Sequence, residues 1–124
     1  MTFNSAVLVI DPQLVFSTFS GSKSDNWGYT ATYDNAGNFY LGGIVFGRGF
    51  PVSNGAFQTS FKGGSGTYNA DMAIIKLDPS GANRIYATYI GGAGGGDQPQ
   101  SLVVDGAGNL VIAGRSQSSD YPRN

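Results

Sequence analysis

The stretch DGAGNLVIAG (residues 105–114) repeats the earlier stretch DNAGNFYLGG (residues 34–43), and this repetition decides the fold. Asp, Ala, Gly, Asn and the final Gly recur in register, 71 positions apart. In each copy a segment rich in Gly and Asn leads into an apolar run, which is typical of a tight turn followed by a β-strand. The chain is therefore predicted to contain a duplicated β-hairpin.

Side chains in these turns have predictable roles. The opening Asp can accept a hydrogen bond from a backbone N–H two residues on, and the last Gly can take a positive φ without steric cost. A third turn of similar composition follows Leu77. The residues assigned to turn structure are Asp34, Gly37, Asn38, Asp78, Gly81, Asp105, Gly108 and Asn109.

Short apolar runs with Gly, Pro, Asn or Asp at their ends occur along the chain, and they indicate strands. No window has the apolar spacing of a helix. Eight strands are predicted in four hairpins: 5–12 with 14–21, 28–34 with 38–46, 71–79 with 84–92, and 100–105 with 109–116.

The duplicated unit is longer than one hairpin. Residues 6–12 are similar to 73–79, residues 15–21 are similar to 85–91, and Phe50-Pro51 is matched by Tyr121-Pro122. Four matched blocks in the same order indicate an internal repeat of about 70 residues with four strands. Several strands are apolar on both faces, which predicts a sheet packed on both sides. A four-stranded antiparallel sheet packed in this way is a β-propeller blade, so the predicted fold is all-β.

Residues 71–122 resemble the bacterial beta-propeller repeat family (SBBP). The resemblance rests on a strand ending in Leu77-Asp78-Pro79, the Tyr89-to-Gly92 strand end, the segment 105–109 and the aromatic-Pro step at 121–122. Residues 6–51 resemble the same pattern more loosely. The resemblance implies a propeller architecture, usually within large secreted or cell-surface bacterial proteins, and no shared catalytic site. An extracellular or cell-surface location is expected on this ground alone.

The repeat unit does not begin and end where a blade begins and ends. We expect a single propeller segment over 1–124, with an outer half-blade at 5–21, a full blade at 28–90 that carries the long loop 52–70, and an inner half-blade at 100–116. Two blades' worth of strands cannot close a ring, since propellers have four to eight blades. The expected partners are therefore other blades, from identical copies or from a parent chain. A monodisperse monomer in solution would count against this division into half-blades and a full blade.

Composition excludes several classes of function. The net charge is −1, and no basic tract predicts binding to nucleic acid or insertion into a membrane. The chain has no His and no Cys, so it can form no Ser-His-Asp triad, His-ligated zinc site or disulfide. The N-terminus lacks the pattern of a signal peptide. We predict no catalytic residue, no metal site and no cofactor.

Two segments suggest a ligand but fit it poorly. The Gly-rich segment 91–98 resembles a phosphate loop, yet it lacks the Gly-Lys-Ser/Thr ending and the following helix, so an inter-blade connection is favoured. The Asp-rich turns could supply calcium ligands, but the chain has no Glu to close such a loop. A weak calcium site near Asp25 or Asp97 is an alternative that the sequence leaves open. No pair of aspartates is distinguished as a general acid and base.

Four residues before and within the first inner strand form a candidate binding site: Trp27, Tyr29, Asp25 and Asn26. An aromatic platform beside amide and carboxylate groups suits a sugar, whereas the alternative is that Trp27 packs between blades. The first functional hypothesis is a non-enzymatic propeller module that serves as a scaffold or protein-interaction platform. The alternatives are a carbohydrate-binding module centred on Trp27 and an accessory domain of a larger enzyme.

Overall fold

The computed structural model describes residues 13–14, 16–64 and 68–123, and its strands confirm the predicted all-β class. Within these ranges six strands form and no helix does. The described residues therefore contain no helix that could cross a membrane. The strands are β1 (Asn26–Tyr33), β2 (Phe39–Val45), β3 (Asp71–Leu77), β4 (Arg84–Ile90), β5 (Asp97–Val104) and β6 (Leu110–Ser116).

The first four strands form one antiparallel sheet in the order β1-β2-β3-β4, and β5 pairs with β6 in a second sheet. Strands adjacent in the chain are adjacent in the sheet, as in a propeller blade. The positions of these strands relative to a ring centre, and the division of the chain into half-blades and a full blade, stay predictions.

Even the irregularities of the two repeated hairpins, β1–β2 and β5–β6, are duplicated. The pairing of β1 with β2 shifts register between Gly28 and Thr30. The pairing of β5 with β6 shifts register between Pro99 and Ser101, at the positions 71 residues later. Bulges of this kind are specific local features of a strand pair. The internal repeat is therefore a repeat of backbone geometry as well as of sequence.

One hydrophobic core joins the two sheets, because β5 lies against β1, β2 and β3. Tyr40, Ile74 and Leu102 are buried there, and half-buried apolar residues surround them: Ile90, Val104, Leu110 and Ile112. Gly42 permits the close approach, since a Cβ at this position would lie 2.9 Å from Cδ1 of Leu102. The second sheet thus packs on the first as one blade packs on the next.

A second core lies on the opposite face of the four-stranded sheet. Its buried members are Val45, Phe50, Ala73, Ile75, Leu77, Ala87 and Tyr89. The Tyr89 hydroxyl accepts a hydrogen bond from the Phe50 N–H at 3.0 Å, and the two rings meet edge to face with centroids 5.4 Å apart. The segment after β2 therefore folds back over this face.

The connection between β2 and β3 also covers the free edge of β4. Ser53 N–H donates to the carbonyl of Ala87, and Tyr89 N–H donates to the carbonyl of Gln58, at 3.0 and 3.2 Å. An edge strand that is paired in this way is protected from pairing with another chain. Phe61 of this loop packs against the second core, whereas Phe57 is 65% exposed. Gln58 holds the loop, because it bonds the edge directly.

The predicted outer half-blade at 5–21 is covered only in part by the described residues. Its first strand, 5–12, and residue 15 lie outside them. Residues 16–22 are described and have no regular secondary structure, so the strand predicted over 14–21 is wrong in that part. A strand needs a hydrogen-bonded neighbour, and here Phe16 instead packs edge to face on Phe39 with centroids 4.8 Å apart.

Candidate functional site

A cleft of about 420 Å³ opens on the face of β1, β2 and β3 that points away from β5 and β6. Its floor is apolar and includes Leu41, Ala73 and Ile75, and Phe50 closes one side. Trp27, Tyr29 and Asn26 line its rim, together with Ser20 from the irregular N-terminal segment. The structure thus brings three of the four predicted site residues to one cleft.

The two aromatic residues of the rim are accessible. Trp27 is 56% exposed and Tyr29 is 42% exposed. Tyr29 lies within the register shift of β1, which runs from Gly28 to Thr30. One edge of the Trp27 ring contacts Phe46, with ring centroids 4.9 Å apart. More than half of the Trp27 residue therefore remains accessible beside Phe46.

The polar residues at the rim are less well placed. The Asn26 side-chain oxygen accepts a hydrogen bond from the Ser20 hydroxyl at 3.3 Å, and its amide donates to the carbonyl of Ser24 at 3.1 Å. Asp25 is exposed but does not line the cleft; its backbone carbonyl accepts the Phe46 N–H at 3.1 Å. The cleft therefore offers an apolar floor, two exposed rings and one amide that is already hydrogen-bonded.

Two of the Asp-containing turns, at Asp34 and at Asp105, share one design. Asp34 Oδ1 accepts hydrogen bonds from the N–H groups of Ala36 and Asn38 at 3.0 and 2.9 Å, and its Oδ2 accepts from the Asn38 side chain at 2.9 Å. Gly37 follows with a φ of 81°. The turn at Asp105 has the same bonds to Ala107 and Asn109, with Gly108 at a φ of 85°.

These hydrogen bonds favour the charged carboxylate. The Asn38 side chain, with the Asn38 N–H, Lys76 and Tyr40, holds the pKa of Asp34 well below its ordinary value. The Asn109 side chain and N–H likewise lower the pKa of Asp105. At the third turn, the Asn83 side chain and the Ser80 hydroxyl lower the pKa of Asp78 to about 2. These oxygens are used within the turns and are poorly placed to act as bases.

Two further aspartates are fully buried where the long loop and the second sheet meet the first sheet. Asp71 Oδ2 accepts hydrogen bonds from the Gln58 side chain and the Lys62 N–H, each at 2.8 Å, whereas its Oδ1 has no partner among the described atoms. Asp97 accepts from the Ser116 hydroxyl, from the Ser118 hydroxyl at 2.9 Å and from the Gly92 N–H at 2.8 Å.

The two buried carboxyl groups are close neighbours. A Cβ at Gly91 would clash with an oxygen of each. Burial raises the pKa of Asp71 to about 6, with a further contribution from the negative charge of Asp97. Neither this pair nor the role of Gln58 was predicted from the sequence. The available signal was a charged residue at the start of the apolar run DMAII, because a buried carboxylate there requires donors from elsewhere in the chain.

The Gly-rich connection between β4 and β5 is held by hydrogen bonds. Gly92 N–H donates to Asp97, Ala93 N–H donates to Asp120 at 2.8 Å, and Gly94 N–H donates to the Ser118 hydroxyl at 3.3 Å. The N–H groups that a phosphate would need are therefore bound to protein oxygens. This connection links the two sheets, as predicted from its sequence.

Comparisons with known proteins support the architecture. Neither the curated proteins nor the solved structures include a significant match to this chain. One family model does match: the beta-propeller repeat (SBBP), over residues 85–122. The matched segment runs from within β4 to the residues that follow β6, and so it crosses from one sheet to the next. The looser resemblance of residues 6–51 stays a prediction. Residues 85–122 thus match the SBBP beta-propeller repeat, and the sheets that contain them are consistent with propeller blades.

Proposed function

We propose that this chain is a non-enzymatic propeller module that serves as a protein-interaction platform or scaffold, within a secreted or cell-surface bacterial protein. The observation that carries this proposal is a pair of open apolar surfaces on opposite sides of the two packed sheets. Tyr29 and Tyr33 are exposed on one side, and Val103 and Val111 are exposed on the other. Contiguous exposed apolar residues on strands mark interaction surfaces.

The carboxylates of the turns support the non-enzymatic part of the proposal. Asp34, Asp78 and Asp105 use their oxygens to close their own turns. General acid–base catalysis requires a carboxyl group that can reach a substrate. Asp71 and Asp97 are both fully buried, beneath Gln58 and the Gly-rich connection.

Site-specific photo-cross-linking tests the platform proposal. A photoreactive residue is placed at Tyr29 on one open surface, at Val103 on the other, and at Phe57 as a control. Phe57 is a suitable control because it is an apolar residue more exposed than either of the other two positions, but it lies on the loop that covers the edge of β4. We expect cross-links to protein from Tyr29 and Val103 in cells that export the chain, and few from Phe57. If neither surface cross-links to any protein, including another copy of the chain, the proposal is wrong.

A second candidate function is carbohydrate binding in the cleft. It is supported by the exposure of the Trp27 ring beside Tyr29 and Asn26, because sugars pack their apolar faces on aromatic rings and bond to nearby amides. A glycan array probed with the wild type and with Trp27→Ala tests it. Tyr33→Ala is the control, since it removes an exposed ring that does not line the cleft. Binding that is lost only in Trp27→Ala supports a lectin, and an array without binding argues against one.

A further inference from the structure

We infer that the two open surfaces bind each other, in a head-to-tail contact between two copies of this chain. The front face is the side of β1 and β2 that points away from β5 and β6; it carries the exposed Ala31 and Tyr33 and the half-buried Phe39 and Leu41. The rear face is the open side of β5 and β6, which carries Val103, Val111 and Ala113. This inference rests on the proposed interaction function and names the partner as a second copy.

The contact inside the chain shows what the front face can bind. The β5–β6 sheet packs on the first sheet through Leu102, Val104, Leu110 and Ile112. The residues 71 positions earlier are the four residues of the front face. They are paired in the same register, Ala31 with Leu41 and Tyr33 with Phe39. Phe16 lies against Phe39, while Ala31 and Tyr33 are exposed. The front face is thus the counterpart of a surface that is already used for sheet-on-sheet packing.

The rear face corresponds in the same way to the receiving side of that contact. Tyr40 and Gly42 of β2 lie at the interface that receives β5 and β6. The residues 71 positions later are Val111 and Ala113. Val111 is 54% exposed and Ala113 is exposed, because no described strand packs on this side of β5 and β6. Each open face therefore matches one half of a contact that the chain already makes.

The sizes of the facing side chains are also compatible. Inside the chain, Gly42 provides the room that Leu102 occupies. At the corresponding point between two copies, Ala113 would face Ala31. One very small residue and one large residue are replaced by two small ones, so the second contact can be packed closely without a clash.

Because the two faces differ, the contact is heterologous, and each copy presents one free face to the next. Such a contact forms a closed ring when the rotation between copies allows it. Two blades' worth of strands per chain and the four to eight blades of known propellers give rings of about two to four copies.

Mixing two disabled variants tests the inference. Ala31→Lys places a charge in the front face only, and Val103→Lys places one in the rear face only. Both positions are exposed within the chain, so both variants are expected to fold, which circular dichroism checks. Light scattering should give particles of at least two chains for the wild type and the 12.9 kDa monomer for each variant alone. An equimolar mixture should give a one-to-one dimer, because each variant retains one intact face.

Phe57→Lys is the matched control, since it adds the same charge at an exposed apolar position outside both faces. It should keep the mass of the wild type. A wild type that stays monomeric over a wide concentration range would falsify the inference, and so would a variant mixture that contains monomers only. If cross-linking from the same faces captures another protein and never a second copy, the platform proposal stands and the self-assembly inference fails.

Discussion

The turn at Asp34 and the turn at Asp105 have the same local structure in different surroundings. Their internal hydrogen bonds agree within 0.1 Å, and their glycines have φ values of 81° and 85°. At Asp34, however, the Lys76 ammonium on β3 lies 3.2 Å from the carboxylate, and the Tyr40 hydroxyl donates to it at 3.1 Å. At Asp105, Val111 takes the place of Tyr40, and no described strand pairs with the edge of β6 that points away from β5. Local sequence thus determines the turn, whereas the number of strands in the sheet determines its tertiary contacts.

The largest difference between the packed and the open side of the β5–β6 sheet should appear on β5. Leu102→Ala removes a side chain that is 4% exposed at the contact between the sheets and should lower the free energy of unfolding by about 2–5 kcal/mol. Val103→Ala, on the open side of the same strand, should change it by less than about 0.5 kcal/mol. Urea denaturation at a concentration low enough for monomers measures both. Equal losses would show that the two sides are not packed differently.

The same contrast between local structure and packing separates what could be predicted from the sequence from what could not. The strands from β1 to β6 and their turns follow from short apolar runs and from Asp, Gly and Asn, because these signals are local. The start of β5 at Asp97 was missed, since Pro99 reads as a strand breaker and here occupies a bulge.

Non-local contacts account for the other differences. The hydrogen bonds of Gln58 to Asp71 and to β4 join residues that are far apart in the chain, and no spacing pattern indicates them. The predicted grouping of Trp27, Tyr29 and Asn26 depends on one strand and is present, whereas Asp25 lies just before that strand and does not line the cleft. A residue's partner could be predicted where the partner was in the same hairpin.

The four-stranded sheet contains a buried carboxyl group, that of Asp71, at the start of β3, a strand that has no counterpart among the described strands of the second sheet. The pKa of Asp71 is about 6 in the folded chain, against an ordinary value of 3.8. Between these pH values the folded state binds more protons than the unfolded state, so stability falls as pH rises through this window. Above pH 6 the full cost applies, at most about 3 kcal/mol.

Asp71→Asn should therefore raise the free energy of unfolding at pH 8 and flatten its decline between about pH 4 and 6. The Asn oxygen can keep the hydrogen bonds from Gln58 and Lys62, and its amide group replaces the unpaired oxygen near Asp97. Denaturant titrations at several pH values measure the effect. Asp25→Asn, at an exposed position, should retain the decline. If the decline in the free energy of unfolding is unchanged in Asp71→Asn, another titrating group causes it.

The local part of the comparison is tested at the turn glycines. Gly37→Ala and Gly108→Ala each place a side chain at positive φ and should cost about 1–2 kcal/mol. The two costs should be similar, because the nearest atom to a Cβ at Gly37 is in ordinary contact at 3.6 Å and none lies within 4 Å at Gly108. Gly106→Ala is the control, since it has the same free space and no positive φ, and it should be close to neutral. A much larger cost at Gly37 would mean that tertiary packing, and not the turn itself, requires the glycine.

The smallest effect concerns one of the two contacts that distinguish the turn at Asp34 from the turn at Asp105. Lys76→Met keeps an apolar stem over the Tyr40 ring, which the Lys76 nitrogen approaches to 4.8 Å, but removes the charge beside Asp34. Exposed and half-exposed ion pairs contribute little, so the free energy of unfolding should fall by less than about 1 kcal/mol. The pKa of Asp34 should rise, because a neighbouring cation favours the carboxylate, while the pKa of Asp105 should not change. NMR titration of the two carboxyl groups in one sample makes Asp105 an internal control. A rise in both would mean that the charge acts over the whole chain, and a rise in neither would mean that the Asn38 hydrogen bonds alone hold Asp34 ionised.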